Sequence, residues 1–235
     1  RLSGLFSINQ VNLFPKIRKN TGTLPVAAFP VMPERKRNEG SDIVLSEYRD
    51  IIMLHMMAAP LSPGQGADVF AGGYCKQRSR YMAGYWKNGE WAELPNRYGA
   101  FSAEVFSLSV DEGDVFAAGY AMNPGSIIMA GYWKNGEWTE LPNPYGEHEA
   151  FVLNIIVHDD SILAAGSCLD SARKYRSGYW RNGEWTELNG GSAISRINST
   201  VILDGIVHLG GYYSNGHCRA GYWKNNALSW TALPN

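Results

Sequence analysis

The chain has 235 residues, a formal net charge of −1 and a hydrophobic fraction of 45%, which is ordinary for a globular protein. Nucleic acid is a poor partner for such a chain, because almost no net charge means no long-range field to hold a polyanion against salt. No apolar stretch approaches the roughly 18 residues of a membrane-spanning helix, so we expect no membrane span. Three cysteines, Cys75, Cys168 and Cys218, lack the paired spacing of a disulfide framework or a zinc site. We therefore expect no metal and no other cofactor, and the redox state of the cysteines stays open.

The first 60 residues differ from the rest of the chain. They contain no tryptophan and no Asn-Gly pair, and they carry several prolines and the basic cluster Arg35-Lys36-Arg37. Such a composition disfavours a β-sheet unit. The sequence predicts that residues 1–60 are a non-repeat segment, either disordered or the truncated end of a longer array of repeats. A second interpretation is that this segment completes the last unit by pairing with the other terminus. Within it, the apolar run Ile51–Met57 is a candidate opening strand for the first unit.

A tryptophan-rich phrase recurs through the remainder of the chain. Its copies begin 47, 47 and 43 residues apart, and each is preceded by a short apolar run that ends in glycine. The phrase is GYWKNGEW at Gly84–Trp91 and Gly131–Trp138, GYWRNGEW at Gly178–Trp185 and the looser GYWKNNALSW at Gly221–Trp230. The preceding runs are DVFAGGY from Asp68, DVFAAGY from Asp114, SILAAGS from Ser161 and IVHLGGYY from Ile206.

Each repeat is predicted to form four antiparallel strands. Helical periodicity is absent, and units of 43 to 47 residues with four short strands are typical of a β-propeller blade. We therefore predict an all-β fold, a β-propeller of four-stranded antiparallel blades. The expected units are residues 61–96, 97–143, 144–189 and 190–235. Four units suffice for a small closed ring, but an arc of a larger propeller is slightly favoured.

The repeated phrase is predicted to be a hairpin. Asn-Gly between two strand-like runs is the strongest short-range signal for a type I′ turn, which requires positive φ at both central residues. With a two-residue loop, Trp86 faces Trp91 in a non-hydrogen-bonded pair, and Lys87 faces Glu90 on the opposite side of the sheet. We expect the indoles to stack and to pack within and between units, although an exposed platform for sugar rings is the alternative. In the fourth unit two extra residues obscure the register. The predicted turns are Asn88-Gly89, Asn135-Gly136 and Asn182-Gly183.

These copies resemble the repeats of bacterial β-propeller proteins whose blades carry a YWKNG hairpin after a VY-x-A-G-Y-like strand. The resemblance covers about residues 68–235. It implies a propeller fold, an extracytoplasmic location as a secreted, periplasmic or lipoprotein chain, and no established catalytic site that would carry over.

The residues themselves give little support to catalysis. The histidines form no H-E-x-x-H pair and no G-x-S-x-G elbow is present. Paired glutamates such as Glu137 and Glu140 lie three residues apart, which places them on opposite faces of a strand. The acidic stretch Asp111–Asp114 is better explained as a turn between strands than as a calcium site. We expect no catalytic residues.

Candidate binding residues lie where the repeats differ. The Asn-Gly turns at one end of each unit are nearly uniform, whereas the connections at the opposite end differ in every unit. Binding residues usually lie on loops held by a rigid scaffold, so this end is the predicted ligand face, with drift of unconstrained loops as the alternative interpretation. The residues of this face predict that the chain is a non-enzymatic binding or interaction module for an unidentified, anionic protein or glycan. A lectin-like protein or a glycan-active enzyme at the same face is the other candidate function. The candidate residues are Tyr98, Tyr145, Arg78, Arg80, Arg173, Lys174 and Arg176.

Overall fold

The computed structural model describes residues 48–59, 68–158, 160–188, 194–203, 205–214, 217–224 and 230–234. All the regular structure in these ranges is β-strand. Within them there is no helix with the length and hydrophobicity that crossing a membrane requires. The strands are β1 (Tyr48–Ala59), β2 (Asp68–Gln77), β3 (Arg80–Lys87), β4 (Glu90–Glu93), β5 (Ala103–Asp111), β6 (Asp114–Met122), β7 (Ile128–Lys134), β8 (Glu137–Glu140), β9 (Ala150–His158), β10 (Ser161–Leu169), β11 (Tyr175–Arg181), β12 (Glu184–Glu187), β13 (Ile194–Leu203), β14 (Ile206–Ser214), β15 (Cys218–Lys224) and β16 (Trp230–Ala232).

The strands form four antiparallel sheets, each built from four strands in chain order. Sheet one is β1–β4, sheet two is β5–β8, sheet three is β9–β12 and sheet four is β13–β16. The predicted four-stranded units are thus confirmed. The opening strand predicted at Ile51–Met57 is present as β1, so sheet one begins before residue 61. The rest of the predicted N-terminal segment, residues 1–47, lies outside the described residues.

The Asn-Gly pairs form the predicted two-residue turns. Both residues of each pair have positive φ, with values of 52° and 88° at Asn88 and Gly89. Those signs define a type I′ turn, whose twist matches that of the flanking strands. The register is also as predicted, with Trp86 opposite Trp91 and Lys87 opposite Glu90. Trp223 faces Trp230 in the same way, so the extra residues of the fourth unit do not change the pairing.

The turn asparagine has a second role that its φ does not explain. Asn135 Oδ1 accepts a hydrogen bond from the Val115 amide at 2.9 Å, and its Nδ2 donates to Asp114 at 2.8 Å. Asn88 makes the same pair of bonds to Val69 and Asp68. The turn of β7 and β8 is therefore fastened to the start of β6. The neighbouring lysine contributes as well, because Lys134 Nζ lies 2.8 Å from Asp114 Oδ2.

The paired indoles touch but do not stack in parallel. Their ring centroids lie 4.5 Å apart in the Trp133–Trp138 pair, with planes inclined by 60°. The expectation of stacked rings is corrected here. Tilted contacts are favoured by the charge distribution of the rings, and the second indole also covers a glycine. A Cβ on Gly131 would lie 2.4 Å from Trp138 Cζ2 and from the Thr139 carbonyl oxygen. Glycine precedes the Tyr-Trp pair because the second tryptophan occupies the space of a side chain.

The sheets stack through two different faces. The Trp face of a sheet carries the first tryptophan of its hairpin, and the Leu face carries the leucine that follows its last strand. The Trp face of sheet two, with Trp133, packs on the Leu face of sheet one, with Leu94. Trp180 meets Leu141 and Trp223 meets Leu188 in the same arrangement. Among the described strands, the extensive contacts between sheets join only neighbours in the chain. No extensive contact among these strands joins sheet one to sheet four, as a closed ring of four sheets would require.

An indole–carbonyl bond links sheet one to sheet two and sheet two to sheet three. Trp133 Nε1 donates to the Pro95 carbonyl at 2.8 Å, and Trp180 Nε1 donates to the Pro142 carbonyl at 2.9 Å. The indoles are fully buried, so an unpaired N–H there costs free energy. The first strands are linked too, because Ser109 Oγ in β5 accepts a hydrogen bond from the Val157 amide in β9 at 3.0 Å.

Candidate functional site

The four sheets have two chemically different ends. The turn end carries the Asn-Gly turns and the turns between the first and second strands. The loop end carries the connections between the second and third strands and the linkers between sheets. Hydrogen bonds bring these two kinds of connection together, because Ser102 Oγ in the first linker accepts from the Tyr81 amide at 3.1 Å. Leu169, at the end of β10, likewise donates to Glu149 in the second linker at 2.8 Å.

The predicted aromatics Tyr98 and Tyr145 are held within this framework. Both are half-buried and pack against the cores between sheets. The Tyr98 hydroxyl donates to Glu140, and the Tyr145 hydroxyl donates to Glu187. Burial, with the neighbouring carboxylate, raises the pKa of each tyrosine to about 12. These two tyrosines therefore anchor each linker to the sheet that follows it.

Two asparagines organise the linkers, and the sequence analysis did not identify them. Asn96 Nδ2 lies within 3.1 Å of the carbonyl oxygens of Phe101, Ser102 and Met122, while its Oδ1 accepts from the Tyr98 amide at 2.8 Å. Asn143 makes the equivalent contacts one unit later. The signal was present in the sequence, because Leu-Pro-Asn occurs at the same place in both units.

The cationic residues of sheet one sit at its loop-end turn. Arg78 is exposed and has a positive φ of 56°. Arg80 begins β3, and its Nη2 lies 3.3 Å from Gln77 Oε1 and 3.3 Å from Met82 Sδ. The side chain of Arg80 is thus directed along its own hairpin.

The cations of sheet three lie on a loop organised by Asp170. The Asp170 carboxylate accepts from the Lys174 amide at 2.8 Å and from Arg176 Nε at 2.8 Å. These bonds hold the pKa of Asp170 below its usual value, the backbone bond from Lys174 contributing most. Arg176 also lies 3.7 Å from Glu187, so its charge is paired. Arg173 and Lys174 have exposed side chains at the tip.

Sheet two carries a loop with the same backbone bonds and different side chains. Asn123 takes the place of Asp170, and its Oδ1 accepts from the Ile127 amide at 3.0 Å. In both loops the fourth residue donates to the first carbonyl at 2.9 Å and has a positive φ, 60° at Ser126 and 57° at Arg173. The scaffold is therefore repeated, while the tip changes from Pro124-Gly125-Ser126 to Ser171-Ala172-Arg173.

Tyr175 is an exposed aromatic that the sequence analysis did not include among the candidates. It follows Lys174, is 46% exposed and meets Phe151 edge to face at 5.6 Å. Its hydroxyl donates to Glu149 Oε2 at 2.8 Å, and burial, with that carboxylate, raises its pKa to about 12. Arg173, Lys174 and Tyr175 form one surface, named here the sheet-three tip. Arg78 and Arg80 belong to sheet one, and sheet two lies between the two groups.

Several glutamates near the loop end accept hydrogen bonds from tyrosine hydroxyls. Glu140 and Glu187 accept from tyrosines, and Glu104 accepts from the Tyr120 hydroxyl at 2.5 Å in a buried pair. Desolvation raises the pKa of Glu104. Sequence analysis does not identify this pair, because the two residues are brought together by the register of β5 and β6.

A small cleft opens at the turn end between sheets two and three. Phe116, Val157 and Ile162 line it together with the acidic turn residues and Lys134. The stretch Asp111–Asp114 is a turn, as predicted, with positive φ at Glu112 and Gly113. In the part of the chain that the structure describes, no group of three His, Cys, Asp or Glu side chains is placed to hold a metal ion.

No family model and no curated protein matches the chain. Among solved structures, it is similar to a fucose lectin from Kordia zhangzhouensis in complex with methyl-fucoside, with 13% sequence identity and a TM-score of 0.39. The match covers 57% of this chain and 96% of the lectin chain.

Proposed function

We propose that the chain is a non-enzymatic binding module whose stacked sheets are β-propeller blades and whose loop end contacts the partner. The observation that carries the proposal is the repeated loop scaffold, in which Asn123 and Asp170 hold the same backbone while the tip residues change. Drift of unconstrained loops does not account for a preserved hydrogen-bond pattern. Preformed loops bind with a smaller loss of conformational entropy than mobile ones.

The sheet-three tip is the contact surface that we propose, and an anionic partner fits it. Arg173 and Lys174 are exposed, whereas Arg176 is neutralised by Asp170 and Glu187. Exposed cations attract an anionic partner over about 8 to 10 Å at physiological ionic strength and contribute little to folding. The extracytoplasmic location implied by the family resemblance is part of the same proposal.

The test is binding of a sulfated oligosaccharide and of a polyglutamate peptide, each measured by surface plasmon resonance in low salt and in about 0.5 M salt. We expect a several-fold loss of the association rate in high salt and in the double variant Arg173→Glu, Lys174→Glu. Arg181→Glu is the matched control, because Arg181 is an exposed cation of the same sheet but lies at the turn end, beside the Asn182-Gly183 turn. Binding of both probes that ignores salt and charge reversal contradicts the proposal.

Glycan binding without a charge requirement is the second candidate, and one observation favours it. Tyr175 presents an exposed ring beside the loop tip, and aromatic faces suit apolar faces of sugar rings. A neutral oligosaccharide array then shows binding that resists salt and disappears in Tyr175→Ala. The enzyme alternative has less support, because the carboxylates of Glu140 and Glu187 accept hydrogen bonds from Tyr98 and Tyr145.

A further inference from the structure

The three Asn-Gly turns differ in how their asparagine side chains are held. In each turn the asparagine Oδ1 accepts a hydrogen bond from an amide at the start of the second strand. The side-chain nitrogens differ, because Asn88 Nδ2 donates to Asp68 at 2.7 Å and Asn135 Nδ2 donates to Asp114 at 2.8 Å. Within the described ranges Asn182 Nδ2 has no such carboxylate partner. This asparagine is therefore held through its Oδ1 alone.

The difference follows from one change between the repeats. Asp68, Asp114 and Ser161 occupy equivalent positions, since each precedes the residue whose amide binds the turn asparagine. The serine side chain is shorter and carries no charge. Hydrogen bonds from Lys134 and then Asn135 hold the pKa of Asp114 below its usual value. The Asp114 carboxylate is thus ionised at neutral pH, and its bond to Asn135 belongs to the stronger, charge-assisted class.

We propose that Asn182 is a site of spontaneous deamidation and that Asn88 and Asn135 are protected from it. Asparagine followed by glycine is the pair most open to this reaction, because glycine has no side chain to hinder attack by its own backbone nitrogen. A Cβ added to the glycine of any of the three turns would meet no atom within 4 Å. The attacking group is equally unhindered in the three turns, so the hold on the asparagine side chain decides which of them reacts.

The reaction needs only water as a co-reactant. The backbone nitrogen of Gly183 attacks Cγ of Asn182 and forms a new C–N bond. The bond from Cγ to Nδ2 breaks, and Nδ2 leaves as ammonia with the proton that the Gly183 nitrogen gives up. Water then opens the cyclic imide at one of its two carbonyls and returns a proton to that nitrogen, which leaves aspartate or isoaspartate at position 182. The side chain of Asn182 is exposed, so water reaches the imide.

The carboxylates of sheets one and two protect by holding the amide in place. Attack requires the asparagine side chain to turn toward the glycine nitrogen, which breaks the hydrogen bonds of both Oδ1 and Nδ2. Asn182 loses only the bond to the Ile162 amide, whereas Asn135 also loses its charge-assisted bond to Asp114. A hydrogen bond to a charged group is strong enough to slow the reaction about tenfold.

The two products change sheet three to different degrees. Aspartate at position 182 keeps an oxygen for the Ile162 amide and adds one negative charge. Isoaspartate instead lengthens the main chain of a turn whose geometry depends on having two residues. Trp180 faces Trp185 across this turn, so isoaspartate should disturb the pairing of the two indoles.

The test follows deamidation of the folded wild-type chain in mildly alkaline buffer at physiological temperature. Replacing the side-chain NH2 by OH raises the mass, and fragment-ion mass spectrometry assigns each change to one asparagine. We expect Asn182 to react about tenfold faster than Asn88 and Asn135. Two further Asn-Gly pairs lie outside the described residues and are scored separately, Asn189-Gly190 and Asn215-Gly216.

Exchanging the residue before the second strand tests the cause. Ser161→Asp supplies the missing carboxylate and should slow deamidation of Asn182 about tenfold. Ser161→Ala is the matched control and should leave Asn182 reactive. Asp114→Ser is the reciprocal variant and should accelerate deamidation of Asn135 by a similar factor, while Asn88 stays protected in the same molecule. Circular dichroism verifies that each variant is folded.

The full chain unfolded in urea separates structure from local sequence. Each of the three pairs follows a lysine or arginine and precedes a glutamate, so their rates should become similar once the chain is unfolded. The proposal is overturned if Asn182 stays intact or reacts no faster than Asn88 and Asn135 in the folded chain. It is also overturned if Ser161→Asp leaves the rate at Asn182 unchanged, or if Asn182 remains the fastest of the three in urea.

Discussion

The turn end and the loop end differ in what is repeated. At the turn end the same asparagine, in the same conformation, makes the same backbone bonds to the second strand in sheets one, two and three. At the loop end the linkers also repeat their asparagine and tyrosine bonds, but the loops between the second and third strands do not repeat their tips. Sheets two and three share the backbone bonds of this loop, and sheet one uses a shorter turn at Arg78. The turn end is thus repeated throughout, whereas the loop end repeats its supports and leaves its tip residues free to vary.

The largest expected effect comes from removing a buried indole of the framework. Trp133→Ala should lower the free energy of unfolding by about 3–5 kcal/mol, because it leaves a cavity between sheets one and two and an unpaired Pro95 carbonyl. The loop-end counterpart Tyr175→Ala should cost about 0.5 kcal/mol or less, as expected at an exposed site. Urea unfolding measures both. Similar losses of unfolding free energy in the two variants would show that the loop tip stabilises the fold as much as the buried framework does.

Glycines offer a second comparison, of intermediate size. Gly131→Ala forces a Cβ to within 2.4 Å of the Thr139 carbonyl oxygen and of Trp138, and we expect a loss of about 1–3 kcal/mol from overpacking. In the loop of sheet two, the nearest atom to a Cβ on Gly125 is Asn123 Oδ1 at 3.3 Å. Gly125→Ala should therefore be close to neutral. Thermal and urea unfolding of the two variants measures both changes in stability. A Gly131→Ala variant as stable as the wild type would show that the hairpin tolerates displacement of its second indole.

The smallest effect distinguishes the two loops by pH. The pKa of Asp170 is lowered in the folded chain, so its hydrogen bonds persist above the ordinary value of 3.8 and are lost as pH falls through the lower folded value. The Lys174 amide resonance should shift in that acidic range. In Asp170→Asn the shift should vanish, because the amide group keeps an acceptor but does not titrate there. The Ile127 amide, bonded to Asn123, is the internal control and should stay constant; a parallel shift at Ile127 would indicate acid unfolding instead.

Local signals in the sequence were sufficient for the framework. The Asn-Gly pairs require positive φ whatever the surroundings, so the turns and the Trp86–Trp91 register followed directly. The strand pattern of each unit followed from period and composition. What could not be derived locally was the contact between units, for example Trp133 with Pro95 across 38 residues.

The candidate site was harder to predict for the same reason. Exposure and charge pairing depend on residues far apart in sequence. The sequence predicts Tyr98 and Tyr145 as binding residues because they are repeated aromatics, but their repetition reflects hydrogen bonds to Glu140 and Glu187 in the next sheet. The sequence predicts Arg176 as a candidate cation, yet the pairing of β11 with β12 brings it near Glu187, and Asp170 in its own loop is paired with it as well. The exposed Tyr175 belongs to the same loop as Arg176, and no local sequence signal distinguishes it from the buried or paired candidates.

The bond from Trp133 to the Pro95 carbonyl has a consequence for synthesis on the ribosome. Pro95 leaves the exit tunnel 38 residues before its indole partner Trp133 does, so sheet one emerges with this carbonyl unpaired and its Leu face uncovered. The Leu faces of sheets one, two and three are covered only when the following unit has been translated, and nearest-neighbour contacts supply most of the stability of a repeat array. During translation, the most recently synthesised sheet therefore exposes its apolar Leu face until the next sheet follows. Chaperones that bind apolar surfaces would find the same kind of binding site once in every translated repeat.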